Sequence, residues 1–186
     1  SCWFMQKKIN GCVLFYMKRT TNIGALGLVI ALGAAVAFGQ TANPAKLKVK
    51  GVGLDSTYGQ VIKALGKPVK DGKPKEEGCI GGHEKDVEYN GLSFYFMDGD
   101  SKNGKTYEVK AFTVTSGNWI VSGVKVGDTA TTVRAKFGRK YEVQKDDVTG
   151  QIMWNYDMGD TAGPGTTTVH FKGGKVVSIN TGYMVC

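Results

Sequence analysis

From Gly51 the chain reads G-V-G-L-D-S-T-Y-G-Q-V-I-K-A-L-G-K, and from Gly123 it reads G-V-K-V-G-D-T-A-T-T-V-R-A-K-F-G-R. At an offset of 72, Gly51, Val52, Thr57, Val61 and Gly66 coincide with Gly123, Val124, Thr129, Val133 and Gly138. Chance supplies about one such coincidence, because each residue type makes up only ~5–7% of a chain. Leu54/Val126, Ser56/Asp128 and Leu65/Phe137 also agree in kind. Self-similarity at a fixed spacing means one supersecondary unit built twice.

Each copy reads as a short helix followed by strands. Lys46 to Val52 alternates apolar residues with lysines and predicts a short strand or extended lead-in. Ser56 in the first copy and Asp128 in the second are expected to cap a helix start by accepting from a free N–H of the first turn. Val61, Ile62 and Leu65 then share one face, as do Val133 and Phe137. Gly66, followed by Pro68, and Gly138 stop helices of about ten residues, which need packing to persist. Beyond the first helix, Asp86–Tyr89, Asn90-Gly91 and Leu92–Phe96 predict a hairpin, whose two turn positions would both need positive φ. Tyr107–Thr115 predicts a third strand. Gln151–Tyr156, Thr166–Phe171 and Lys175–Thr181 are the counterparts, with Gly173-Gly174 between the last two and Tyr141–Gln144 as an extra strand.

The expected class is therefore α+β: two tandem repeats, each a short capped helix packed on an antiparallel β-meander. Residues 49–117 form repeat 1 and 118–186 repeat 2. The offset falls from 72 at the helices to 67 at Val87/Trp154, rises to 75 at Phe94/Val169, and returns to 67 at Val109/Val176. The copies thus differ in length only between elements: in Lys70–Gly82, Asp98–Lys105 and Asp157–Gly165. Turns that vary on a constant scaffold are where binding residues concentrate.

Lys18-Arg19, an uncharged stretch from Ile23 to Phe38, and Ala37-Phe38-Gly39 follow the basic, apolar, small-residue order of a secretory signal peptide. We read 17–39 as that signal, 1–16 as an upstream segment foreign to the protein, and 40–48 as a leader. The apolar stretch is shorter than the ~20 residues of a membrane-spanning helix. The formal charge of +8 includes four cations and no acid before this stretch, leaving 20 cations against 16 acids, or +4. No basic block is interleaved with aromatics, which argues against nucleic acid as partner.

The motif G-V-x-x-G-D-T…V…F-G at Gly123–Gly138, its degraded copy at Gly51–Gly66, and V-x-x-I/F at Val109–Phe112 and Val176–Ile179 resemble the β-lactamase inhibitory protein family. The SmpA/OmlA-type outer-membrane assembly lipoproteins are similar to a single such unit. The resemblance spans about Val49 to Cys186. It implies a scaffold and a family habit of binding other proteins outside the cytoplasm, but no particular target.

Motifs with chemical connotations read as structure. Gly99–Thr106 is a literal G-x-x-x-x-G-K-T, yet the next residues alternate as a strand, so no helix N-terminus would face a phosphate. Asp98, Asp100 and Asn103 lack the calcium-loop pattern, with Lys102 and Asn103 where an oxygen ligand and a glycine belong. Cys79 and His83, near Glu76, Glu77 and Glu84, fall short of the three or four ligands of a zinc site unless His170 and Cys186 join them. No third group marks Cys79–His83 as catalytic. We expect no cofactor, no metal and no enzyme. Cys79 and Cys186, the pair left after signal removal, are most simply a disulfide in an oxidising compartment, closing a span of 107 residues.

Glu88, Ser93, Tyr95, Lys110, Asn155, Thr168 and His170 are expected on the sheet face opposite the core. Tyr95, Lys110, Asn155, Thr168 and His170, with Trp119 in the joint between repeats, are the candidate partner-binding residues, since aromatics are enriched at interface centres. The reading is a secreted or periplasmic protein-binding module; the alternative is a structural or assembly component of a bacterial envelope.

Overall fold

Where apolar residues alternate with polar ones the chain is extended, starting at Leu47 and Val49, both buried. In the computed structural model, which describes residues 43, 46–78, 81–98, 106–158 and 165–183, the elements run as follows. β1 (Lys48–Val49) and β2 (Val52–Gly53) precede α1 (Tyr58–Leu65); β3 (Lys70–Asp71), β4 (Lys75–Glu76), β5 (His83–Tyr89), β6 (Leu92–Met97) and β7 (Glu108–Val114) follow. Then come β8 (Ile120–Val121), β9 (Val124–Lys125), α2 (Ala130–Phe137), β10 (Glu142–Lys145), β11 (Ile152–Asp157), β12 (Gly165–Lys172) and β13 (Lys175–Tyr183). All described residues belong to the unit Ala37–Cys186.

Two sheets result. The small one has the order β2-β1-β8-β9, and the large one has the order β10-β11-β12-β13-β7-β6-β5-β3, with β4 also on β5. Every ladder in the large sheet is antiparallel. Its inner face carries Val87, Phe94, Phe96, Phe112, Val114, Trp154, Tyr156, Val169 and Ile179. Against that face lie Val61 of α1, Val133 and Phe137 of α2, and Val49, Val52, Val121 and Val124 of the small sheet. Phe94 sits 6.0 Å from both Phe96 and Phe112, ring centre to ring centre. Each fully buried ring of this kind contributes roughly 1.5–3 kcal/mol.

The helices are eight residues each and are held at their starts. Thr57 and Thr129 are the N-caps, not Ser56 and Asp128: their hydroxyls accept from the N–H of Gln60 and Thr132. Ser56 and Asp128 instead close the preceding turns, accepting from the N–H of Gly53 and Lys125. Just before α1, the Asp55 N–H donates to Val109, and the Val109 N–H donates to Ser56, both at 2.9 Å. Before α2, the Gly127 N–H donates to Val176 at 2.8 Å and the Val176 N–H donates to Asp128 at 2.9 Å. Both helix starts are thus stitched to β7 and β13, which are neighbours in the large sheet.

The expected α+β class, with a separate helix-plus-meander in each repeat, is corrected. Among the described residues the chain is a β-rich fold, with thirteen strands and two short helices. The meanders do not stand apart. β7 pairs with β13, Phe112 opposite Thr181 and Val114 opposite Ile179, which fuses them into one sheet. An eight-residue helix is too short to cover a meander of long strands, so the apolar faces are buried together. At the Asn90-Gly91 turn only Gly91 has positive φ, +75°, whereas Gly173 and Gly174 are both positive, +59° and +74°. The segment 17–39 expected as a signal, the phosphate-loop-like stretch up to Lys105, most of Asp157–Gly165, Cys79 and Cys186 lie outside the described residues.

Candidate functional site

The outer face of the large sheet follows from register. One row runs Glu88, Ser93, Thr113, Asn180, Thr168, Asn155, Glu142, each directly opposite the next. The adjoining row runs Asp86, Tyr95, Ala111, Gly182, Thr166, Asp157. His170 lies one step further along β12, between Ser178 and Met153. Tyr95, Asn155, Thr168 and His170 are all half-buried on this face. Tyr95 and Asn155 are four strands apart, about 19 Å at the usual strand spacing. Between them Ala111 and Gly182 leave the backbone nearly bare, and a Cβ added at Gly182 would come within 2.7 Å of the Ala111 Cβ.

Several side chains on this face are held. The Tyr95 hydroxyl donates to the Glu84 carboxylate, which also pairs with Lys75 at 2.7 Å. Burial and that carboxylate together push the Tyr95 hydroxyl's pKa well above its ordinary value. The Thr168 hydroxyl donates to Asn155 Oδ1 at 2.8 Å. The Asn180 amide donates to His170 Nε2 at 3.2 Å, which places the neutral ring's proton on Nδ1. Burial lowers the His170 pKa, against the opposing pull of Asp146. Asn180 Oδ1 is buried with no hydrogen-bond partner.

Two of the expected residues sit elsewhere. Lys110 is the extra residue of a bulge, since Tyr95 faces Ala111 and Phe96 faces Val109. Its ammonium binds Glu108 at 2.9 Å and Asp55 at 3.2 Å. Trp119, in the joint between the repeats, packs at the β5–β6 turn, its Nε1–H donating to Asn90 at 2.8 Å and its ring 6.1 Å from Tyr89. Thr113, Asn180, Ala111 and Gly182 escaped the sequence reading. Their alternation is visible, but the β7–β13 pairing that sets them in line has no local signal.

Near the Cys79–His83 region, His83 turns to a different partner. The Asp98 carboxylate accepts the His83 backbone N–H at 2.7 Å and the imidazole Nδ1–H at 3.0 Å. Glu76 lies directly opposite His83 in the ladder. Among the described residues no three His, Cys, Asp or Glu side chains converge as a metal site.

No family model matches the chain, and no curated protein matches it. Among solved structures it is similar to an extracellular protein containing a SCP domain from Bacillus anthracis str. Ames, at 10% identity with a TM-score of 0.42. The match covers 90% of this chain and 50% of that one, so this chain spans about half the length of its neighbour. No helix among the described residues is long and apolar enough to cross a membrane.

Proposed function

We propose that the chain is an exported, non-enzymatic protein-binding module whose contact surface is the outer face of the large sheet. One observation carries the reading: seven strands from β5 to β10 present a continuous row of polar side chains, half-buried on all but β10 and including the hydrogen-bonded pair Thr168 and Asn155, that no described element covers. Side chains fixed before contact lose little rotamer freedom on binding, which favours association. Tyr95 supplies a large ring at one end, and Asn155, Thr168 and His170 supply donors and acceptors at the other. The resemblance to β-lactamase inhibitory proteins implies the same class of activity, and the basic-apolar-small order of 17–39 supports export.

The test is capture of a soluble partner from an envelope extract on immobilised protein, followed by affinity measurement with Tyr95→Ala. Loss of roughly 1–3 kcal/mol of binding with an unchanged melting temperature is expected for an anchoring ring. Binding unchanged by Tyr95→Ala, or co-fractionation only with outer-membrane assemblies, overturns the reading. The second result favours an assembly role instead.

A further inference from the structure

We infer that β10 is a self-recognition edge through which two copies of this chain pair antiparallel, extending the large sheet across a twofold axis. The two ends of that sheet differ. One is closed by the two-residue strands β3 and β4, interrupted at Gly72 and Pro74. Such short, proline-broken edges resist further pairing. The other end is β10, four consecutive residues that are all exposed, with Val143 60% exposed and Val148 in the adjoining turn 95% exposed.

The backbone of β10 offers a usable ladder. The Asp146 N–H donates to Gln151 at 2.9 Å, and antiparallel alternation carries the same orientation back to Gln144 and Glu142, which face Met153 and Asn155. The N–H and C=O groups of Val143 and Lys145 therefore point away from β11, unpaired within the large sheet.

Charge selects a second copy as occupant. Arg139-Lys140 precede the strand and Asp146-Asp147 follow it. An antiparallel copy brings the basic end of each strand to the acidic end of the other. Directly opposed residues in such a ladder share a face, so only every second register keeps the outer faces aligned. Centring on Val143 sets Glu142 opposite Gln144 and the two Val143 side chains against each other, and brings the Arg139-Lys140 end of each strand beside the Asp146-Asp147 end of the other. Centring on Gln144 sets Glu142 opposite Asp146. Centring on Glu142 opposes two carboxylates. Like charges directly opposed are destabilising, so the Val143 register wins. A twofold interface of this kind is closed and self-complementary.

The test is sedimentation equilibrium of the residue 40–186 chain from about 1 to 500 μM, a range that brackets a weak homodimer. Wild type is expected to dimerise. Val143→Glu and Val143→Lys, each placing like charges against each other at the twofold axis, should weaken self-association at least tenfold, and an equimolar mixture should recover a heterodimer. Circular dichroism confirms that each variant is folded, and the mixture controls for any loss of fold. A wild type that stays monomeric, a dimer indifferent to both charges, or a mixture that fails to associate overturns the inference.

Discussion

The hydroxyl of Tyr183 donates to the Asp55 carboxylate at 2.6 Å, joining residues 128 positions apart. Asp55, at φ +60°, also pairs with Lys110, whose ammonium lies 5.8 Å from the Tyr183 ring centre. Burial first, and then the bond to Asp55, push the Tyr183 pKa up to about 12. A tyrosine raised this way contributes stability that is fully present below its ordinary value near 10 and lost as pH climbs toward the folded value. Asp55→Asn should bring one tyrosine transition down toward 10 in an ultraviolet absorbance titration. An unchanged titration curve would show that burial alone sets it.

Thr167 and Thr181 face each other inside the core, Oγ1 to Oγ1 at 3.1 Å, each at most 2% exposed. Replacing one by valine strands the other hydroxyl without a partner. Thr167→Val or Thr181→Val alone should cost about 1–3 kcal/mol, and the double valine variant should recover most of it. Urea unfolding of all four proteins gives the coupling energy; additive losses would refute the pairing.

Asp98 predicts an acid-sensitive step. The His83 backbone N–H, followed by its imidazole, holds the carboxyl below the usual carboxylate range despite burial. A depressed carboxyl contributes stability that is present above its unfolded pKa and lost as pH falls through the folded one. Asp98→Asn should be less stable than wild type by roughly 1–3 kcal/mol at pH 7, and the gap should close below about pH 4. A gap that is constant with pH would remove the carboxylate's charge from the account.

Thr57 and Thr129 cap the two helices, but only Thr57 has a reciprocal bond, its N–H donating to Gln60 Oε1 at 2.8 Å. Thr57→Ala and Thr129→Ala should each cost about 1 kcal/mol. Gln60→Ala should add a further loss that Thr132→Ala does not. Thermal denaturation checks the ranking.

Local signals in the sequence located most elements. The glycine-containing turns, the strand alternation of Leu92–Phe96 and the apolar faces around Val61 and Val133 all depend on near neighbours. What escaped depends on distant ones. The small sheet rests on Val49 opposite Val121, and Gly117–Ser122 reads in isolation as a plain joint. The caps moved by one residue because Ser56 and Asp128 were drawn into turns that only the folded backbone creates. The fused sheet, and with it the straight row from Ser93 to Asn155, needs β13 beside β7, which no periodicity encodes. The bond from Trp119 to the Asn90 carbonyl likewise joins residues 29 positions apart.

The place of β13 has a consequence for how the protein is made. It is the last described strand, yet it lies between β12 and β7, in the interior of the sheet. Until residues 175–183 leave the ribosome, β7 and β12 both carry bare edges, and the two arms of the sheet have no common strand. The growing chain therefore cannot acquire its structure progressively. Until then its bare edges must be kept from sticking to neighbours, and the sheet closes through a long-range pairing of the kind that folds slowly.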